Sequence, residues 1–202
     1  YVVDLKNPDS PALASTLITE DENAWWGNMR AVGDKLYTTH YEWIEQPLTG
    51  NGVVKYYLDQ IDLSDRAHPR VGSKINVPGL LVGASETDPS LLYTVDYRWN
   101  GTTAKDEISV VKIDGGLAYL QSTTELDGYV GNVFVRGNTA YMSSERYTYN
   151  TPTDGPRVTL HQLDLSDPSH PVDRASAQQK GWGWLLGVEG DRAIVTSGWG
   201  NA

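Results

Sequence analysis

The sequence predicts an all-β fold, a β-propeller of four-stranded antiparallel blades with about four blades in this chain. The first observation is an eight-residue phrase, Asp-Leu-(Lys/Ser)-(Asn/Asp)-x-x-x-Pro, which occurs at 4–11, 62–69 and 164–171. The second is its spacing, because the copies start 58 and then 102 residues apart, and 102 is two steps of 51. One further unit is therefore expected between them. The run 108–114 supplies it, since it repeats the apolar approach to the phrase and ends in the shorter turn Gly115-Gly116.

The units follow one another in a regular order along the chain. We expect an outer strand pair over 1–18, full blades over 24–79, 80–128 and 129–182, and an inner strand pair over 183–200. The two half blades either close one composite blade in a four-bladed ring or end an arc of a larger ring. The arc is favoured, because the end strands would otherwise stay unpaired or have to find each other across the ring.

Short turns with glycine predict the inner hairpin of each blade. Gly33-Asp34, Gly137-Asn138 and Gly190-Asp191 each lie between two short apolar runs, and the second unit has a longer turn over 85–90. Glycine followed by Asp or Asn supplies the positive φ that a tight hairpin turn needs. The outer hairpin is predicted to turn at the repeated phrase.

The phrase itself has a structural explanation. Its acidic side chains can accept hydrogen bonds from backbone N–H groups two residues on, and its proline sets φ where the return strand starts. We therefore predict turn capping, and no calcium site, for the five aspartates of the phrase, Asp4, Asp62, Asp65, Asp164 and Asp167. His68 and His170 occupy the same slot of the turn, so a structural role is predicted for them too.

The composition of the chain limits the classes of partner that it can bind. The chain has 202 residues, a formal net charge of −10 and a pI near 4.7, so its surface repels phosphate backbones and anionic lipid. No nucleic acid and no membrane insertion are expected, since no apolar run reaches the ~18 residues of a membrane span. With no cysteine, disulfides and thiolate metal sites are ruled out.

The two ends of the chain and its composition suggest how the protein is processed and where it is located. The chain begins inside a strand, without an initiator methionine or a signal segment, and stops just after another strand, so we expect an excised or processed piece. Abundant Trp, Tyr, Gly, Asn, Ser and Thr favour an exported protein. The remaining blades of a longer chain are then possible partners.

The turns resemble those of bacterial repeat propellers of the LVIVD type. Blades of that family carry Asp-(Val/Leu)-Ser-Asp-Pro-x-x-Pro after a strand and a Gly-Asn/Asp hairpin before an aromatic strand. The copy at 164–171 matches closely, the copy at 62–69 departs at Arg66, and the first departs at Lys6 and Asn7. The similarity spans nearly the whole chain and rests on turns. It implies a propeller with an extracellular, cell-surface or periplasmic location and no particular reaction.

Aromatic residues recur where loops enter and leave the inner hairpins. In a propeller these loops lie on one face of the disc, so flat rings collected there predict a surface for a carbohydrate or a protein. The predicted binding residues are Trp25, Trp26, Trp43, Trp99, Tyr129, Tyr147, Trp182, Trp184 and Trp199. The alternative is that these rings are wedges between blades. Trp26 and Trp184 lie beside glycines in loops, where a large ring is harder to bury.

The sequence offers little catalytic chemistry. His40 and His161 have no metal-ligand spacing, and Ser144 lies at a strand end without an evident histidine partner. Glu42 and Asp96 occupy nearby positions of adjacent units, and with His40 they are the candidates for a propeller hydrolase or lyase. We predict no catalytic residue, no metal and no cofactor.

The expected role is a non-enzymatic binding or scaffold module whose aromatic-rimmed face recognises a carbohydrate or a protein. The alternatives are a propeller hydrolase or lyase at the channel mouth and purely structural blades of a larger assembly. Exposed Trp26 and Trp184 would favour binding. Convergence of His40, Glu42 and Asp96 would favour catalysis.

Overall fold

The computed structural model describes residues 1–17, 25–45, 52–99, 104–146, 156–181, 183–190 and 192–196. The chain divides into two compact units, residues 1–81 and 82–202. Within the described ranges every regular element is a β-strand, and all neighbouring strands of the sheets run antiparallel. The predicted all-β class is confirmed.

The first unit contains two sheets. Its strands are β1 (Val2–Asp4), β2 (Ala12–Ser15), β3 (Trp25–Val32), β4 (Lys35–Glu45), β5 (Gly52–Asp62), β6 (Arg70–Val71) and β7 (Ile75–Val77). β1 and β2 form a two-stranded sheet, while β3, β4 and β5 are neighbours in chain order and both β6 and β7 pair with β5. The outer strand of this sheet is thus divided in two.

The second unit follows the same plan. Its strands are β8 (Leu80–Ala84), which begins at the boundary, β9 (Leu91–Trp99), β10 (Ala104–Asp114), β11 (Leu117–Asp127), β12 (Tyr129–Arg136), β13 (Thr139–Glu145), β14 (Pro156–Asp164), β15 (Val172–Lys180), β16 (Leu185–Glu189) and β17 (Arg192–Val195). β8 to β11 and β12 to β15 are four-stranded sheets in chain order, and β16 and β17 form a pair.

The predicted hairpin turns are present. Gly33, Gly137 and Gly190 connect the first two strands of their sheets with φ of 59°, 55° and 58°. A side chain at such φ is strained, which explains glycine at these three equivalent positions. β8 and β9 are connected by the longer turn, where the Ser85 N–H donates to the Leu91 carbonyl oxygen.

The repeated phrase forms the predicted capped turns. Each capping side chain accepts a hydrogen bond from the N–H two residues on, in the pairs Asp4 with Lys6 at 2.8 Å, Asp62 with Ser64 at 2.9 Å, Asp65 with Ala67 at 3.0 Å, Asp164 with Ser166 at 2.9 Å and Asp167 with Ser169 at 2.9 Å. His68 and His170 hydrogen-bond through Nδ1 to Asp65 and Asp167 of their own turns. The turn-capping prediction is confirmed. Among the described residues no group of three side chains is arranged to hold a metal.

Asp164 is the most strongly stabilised of these carboxylates. Hydrogen bonds from Ser166 and then the Arg174 guanidinium, which contacts Oδ2 at 2.6 and 2.9 Å, lower its pKa to about 2. We expect Asp164→Ala to lower the melting temperature more than Asp164→Asn, because asparagine keeps an acceptor for the Ser166 N–H. Thermal unfolding followed by circular dichroism at pH 7 measures both.

The pH dependence of stability separates the contribution of the Asp164 charge from that of the turn-capping hydrogen bond. A carboxyl whose pKa is depressed by folding stabilises the protein above the unfolded pKa, and this contribution is lost as the pH falls through the folded value. The advantage of wild type over Asp164→Asn should therefore be complete at pH 6 and shrink towards pH 2. An advantage that is the same at both pH values would contradict the ion pair.

Hydrogen bonds join residues that are 51 positions apart, which is the period expected from the sequence. In the first unit Ser15 Oγ donates to the Arg66 carbonyl oxygen at 3.0 Å. In the second unit Thr87 Oγ1 donates to Asn138 Oδ1 at 2.9 Å, and the Gly137 N–H donates to Glu86 Oε2 at 2.6 Å. In the second unit the turn over 85–90 thus lies beside the Gly137-Asn138 turn of the next repeat. The first-unit bond instead joins the end of β2 to the outer turn after β5, and its counterpart from Ser122 Oγ to the Pro168 carbonyl oxygen spans 46 positions.

The core of the second unit lies between its two four-stranded sheets. It is built from buried residues of β9 to β14 and the residue after β14, namely Leu91, Tyr93, Ile108, Val110, Leu126, Val130, Val133, Ala140, Met142, Leu163 and Leu165. Leu185 is buried where β16 begins, against the other face of the β12 to β15 sheet. The middle sheet is therefore covered on both faces, which explains why its strands lack a clean apolar and polar alternation.

Candidate binding surface

The predicted aromatic residues whose side chains are described are all exposed. The exposed fraction is 66% for Trp43 in β4, 53% for Tyr129 at the start of β12 and 46% for Trp184 just before β16. For three others the structure describes the backbone alone, Trp25 and Trp26 in β3 and Trp99 at the end of β9. Tyr147, Trp182 and Trp199 lie outside the described residues.

Tyr129 contacts an aromatic residue that the sequence reasoning missed. Tyr97, 47% exposed near the end of β9, lies edge-to-face with Tyr129, with ring centroids 5.6 Å apart and planes at 64°. The end of β9 and the start of β12 therefore meet, as the predicted hairpin order requires. Two-residue periodicity was the missed signal, because Tyr97 precedes the predicted Trp99 by two residues in one strand.

Trp184 extends this surface along the start of β12. Its ring lies over Gly131, where an added Cβ would be 3.3 Å from the indole. Gly131 follows Tyr129 by two residues. We call Tyr97, Tyr129 and Trp184 the aromatic rim. Each is about half exposed, so all three rings offer area to a ligand while the rest of each ring is held by protein.

Trp43 is an exposed ring in the first unit. Its indole lies against Gly52 of β5, so closely that an added Cβ would overlap the ring. Its cross-strand partner Val54 is also exposed. Glycine at position 52 therefore leaves the space that the Trp43 ring occupies.

A buried carboxylate lies beneath the aromatic rim. Asp106 of β10 is the cross-strand partner of Tyr97 and is 1% exposed. Its Oδ2 accepts the Val130 N–H at 2.7 Å, and Oδ1 has no hydrogen-bond partner among the described residues. Burial, opposed in part by the Val130 hydrogen bond, raises the pKa of Asp106 to about 6, and the neighbouring charge of Asp96 adds to the rise.

Comparison of the repeats explains why an aspartate occupies this position. The fifth residue of the second strand is Thr39 in β4, Val95 in β9 and Ser143 in β13. Thr39 accepts the Leu81 N–H at 2.9 Å and Ser143 accepts the Leu185 N–H at 3.3 Å. Valine has no acceptor. In the middle repeat the Asp106 carboxylate on the third strand accepts the Val130 N–H instead. A carboxylate therefore takes the place of the hydroxyl acceptor.

Acid–base pairs surround the rim. The bases are each paired, Arg98 Nη2 with Glu107 at 3.0 Å, Lys105 Nζ with Glu125 Oε1, and Arg146 Nη2 with Asp127 at 3.4 Å. Arg98 Nε also lies 3.7 Å from Asp96. Arg98 is therefore shared by Glu107 and Asp96, and the hydrogen-bond partner of Asp106 is the Val130 N–H. Among these residues the acids outnumber the bases, which favours a cation at the rim.

Equivalent positions carry polar side chains in all three larger sheets. The sixth residue of the second strand is His40, Asp96 or Ser144, and the third-strand partner of the fourth residue is Asp59, Ser109 or His161. His40 Nδ1 contacts Asp59 Oδ2 at 2.5 Å. Ser144 Oγ contacts His161 Nε2 at 2.8 Å. The diagonal contact is thus present in the first and third of these sheets, with different residue types at its two positions.

Ser144, His161 and Asp173 form a relay. His161 Nδ1 lies 2.8 Å from Asp173 Oδ2, so the imidazole is held between the hydroxyl and the carboxylate. The expectation that Ser144 has no histidine partner is wrong, because the partner lies on the next strand, 17 residues away. This is the order of groups in a serine hydrolase triad. Ser144 is only 1% exposed, however, so a substrate has no access to its hydroxyl.

His40 and Glu42 belong to a second polar group. His40 Nε2 lies 3.6 Å from Glu42 Oε1, and Lys74 Nζ contacts the same oxygen at 2.5 Å and lies over the Tyr57 ring. The Lys74 hydrogen bond is the main cause of a lowered Glu42 pKa. Asp96, the third member of the predicted catalytic cluster, belongs to the second unit, where the Arg98 ion pair holds it.

One cavity of about 420 Å³ lies in the second unit, between β13 to β15 and the β16–β17 pair. Tyr141, Leu160, Gln162, Leu185, Val188 and Arg192 are among its lining residues. No member of the aromatic rim and no Ser144 atom lines it. The cavity and the rim are therefore separate features.

The chain matches no model of a known protein family, no curated protein and no solved structure. Among the described residues there is no helical segment with the length and apolarity that crossing a membrane requires.

Proposed function

We propose that this chain is a β-propeller segment that acts as a non-enzymatic binding module and that its partner binds at the aromatic rim. The partner is a carbohydrate or a protein. The observation that carries the proposal is the exposed row of Tyr97, Tyr129 and Trp184 at the adjoining ends of β9, β12 and β16.

Three observations support the propeller. The second unit repeats four-stranded sheets in which chain order equals spatial order. The two complete sheets share a core between their faces. Equivalent inner turns that are 51 residues apart are joined by hydrogen bonds in the second unit. Radial repetition of small sheets accounts for all three features together. An LVIVD-type origin and export from a bacterium remain part of the same proposal.

The exposure of the rim supports binding over a wedge role. A wedge between sheets is buried, whereas each rim ring keeps about half of its surface in solvent. Tyrosine and tryptophan present large, rigid area with a polar edge, so they bind at a small entropic cost. The relay at Ser144 does not favour catalysis, because its hydroxyl is buried.

Replacement of the rim tests the proposal. The purified protein is screened on a glycan array and a peptide array, and Kd is measured for the strongest hit of each. We expect Tyr97→Ala, Tyr129→Ala and Trp184→Ala each to weaken binding about tenfold or more, since central aromatic anchors carry about 2 kcal/mol or more. Thermal unfolding checks that the fold is kept.

Tyr119→Ala is the matched control. Tyr119 on β11 is 48% exposed, like the rim residues, and lies near the opposite end of its sheet. Its replacement should leave Kd unchanged. Equal losses in Tyr119→Ala and the rim variants, or hits that survive all three rim replacements, would rule out the rim as the binding surface.

A further inference from the structure

The Tyr97–Tyr129 pair has the features of a site for a cation. The two rings meet edge-to-face at 5.6 Å, so at least one ring face of the pair is turned away from the other ring. The faces of aromatic rings carry negative electrostatic potential and attract ammonium and guanidinium groups. Both rings are about half exposed, which leaves them accessible to such a group.

Asp106 adds a fixed negative charge behind these rings. It is opposite Tyr97 in the β9–β10 register. Its Oδ2 accepts a hydrogen bond from the N–H of Val130, the residue after Tyr129. The backbone thus places the carboxylate next to both tyrosines. Because the group is buried, little water screens its field, and a nearby cation would recover part of the cost of its burial.

The surrounding charges select against an anion. The described bases near the rim, Arg98, Lys105, Arg146 and Arg157, each lie beside an acid, so a phosphate or a sulfate would have to compete with these carboxylates. The chain as a whole carries a formal charge of −10. A cationic partner would be attracted from a distance by the net negative charge. Its electrostatic interaction with the protein would become more favourable at the rim, close to Asp106.

We infer that the rim binds a basic side chain, lysine or arginine, of a protein partner, with the cation at Tyr97 and Tyr129 and with Asp106 as its counter-charge. This inference rests on the proposed function, because it names the ligand class of the same surface. A neutral carbohydrate would use the ring faces but would leave the charge of Asp106 uncompensated.

The test uses a matched pair of fluorescent peptides, one with alternating glycine and lysine and one in which every lysine is acetylated. Acetylation removes the charge and keeps the length of the side chain. We expect the lysine peptide to bind at least about tenfold more tightly than its acetylated form, with an affinity that falls as salt is raised from 50 to 500 mM. Fluorescence anisotropy reports Kd.

Variants separate the site from general attraction to an acidic protein. Tyr97→Ala and Tyr129→Ala should each weaken binding of the lysine peptide about tenfold. Asp106→Asn should weaken it several-fold, whereas Asp114→Asn removes an equal charge at the other end of β10 and should have little effect. Tyr119→Ala again serves as the aromatic control.

The outcomes distinguish the inference from the proposed function. If the rim variants abolish binding of a neutral glycan while lysine and acetyl-lysine peptides bind alike, the rim is a binding surface and the cation inference is wrong. If Asp106→Asn and Asp114→Asn weaken binding equally, Asp106 is not the counter-charge. If no array hit and no peptide depends on the rim, both statements fail together.

Discussion

Replacing Asp106 by asparagine is expected to remove a pH-dependent penalty on folding. Its folded pKa of about 6 lies above the ordinary value of 3.8, so the folded state binds a proton more tightly than the unfolded state does. Stability from this group is therefore present at low pH and is lost as the pH rises from about 4 through 6. The shift corresponds to about 2–3 kcal/mol by pH 7.5.

The prediction concerns the difference between variant and wild type. The free energy of unfolding of Asp106→Asn minus that of wild type should increase by about 2–3 kcal/mol between pH 4 and pH 7.5, so the variant gains stability relative to wild type. Urea denaturation at several pH values measures this difference. Asp114→Asn, at an exposed position on the same strand, should show no such change. A flat difference for Asp106→Asn would mean that the carboxylate is solvated in solution.

Replacing His161 by alanine is expected to be the more damaging change. The imidazole is 10% exposed, bridges Ser144 and Asp173 and lines the cavity beside β16 and β17, so its removal leaves both partners without their hydrogen bond and enlarges that cavity. Together these effects cost about 2–4 kcal/mol. Urea denaturation at pH 7.5 measures the loss.

A double-mutant cycle with Ser144→Ala separates the relay from simple packing. We expect the two residues to be coupled by about 1 kcal/mol, the net value of one hydrogen bond. His170→Ala is the control, because His170 is exposed and is bonded only within its own turn, so little change is expected. Labelling of Ser144 by a fluorophosphonate that depends on His161 would contradict a purely structural relay, since it requires an accessible hydroxyl.

Local chemistry explains why much of the fold could be predicted. The hairpin turns depend on glycine at positive φ, and the outer turns depend on an aspartate that caps an N–H two residues away. Both interactions span only a few residues, so a sequence pattern contains all of their participants. The period of 51 residues follows from repetition of these turns, and in the second unit hydrogen bonds join equivalent turns at that separation.

The site could be predicted only in part, and the reason is again physical. Tyr129 and Trp184 were predicted as binding residues from their recurrence at loop positions, and the structure shows that both are exposed. Tyr97 and Asp106 were missed, because their roles come from neighbours on other strands. Likewise, the contact between His161 and Ser144 depends on the register in which β13 pairs with β14. That register cannot be read from the spacing of the two residues along the chain.

Sequence alone determined the all-β class, the turn chemistry and the repeat length, because each depends on contacts between residues close together in the chain. The tertiary structure alone decided which polar groups meet: a carboxylate on β10 that replaces a missing hydroxyl, a histidine bridging β13 and β15, and two tyrosines that share an edge. Such pairings depend on strand register and on sheet packing, where a shift of one residue turns every side chain to the opposite face.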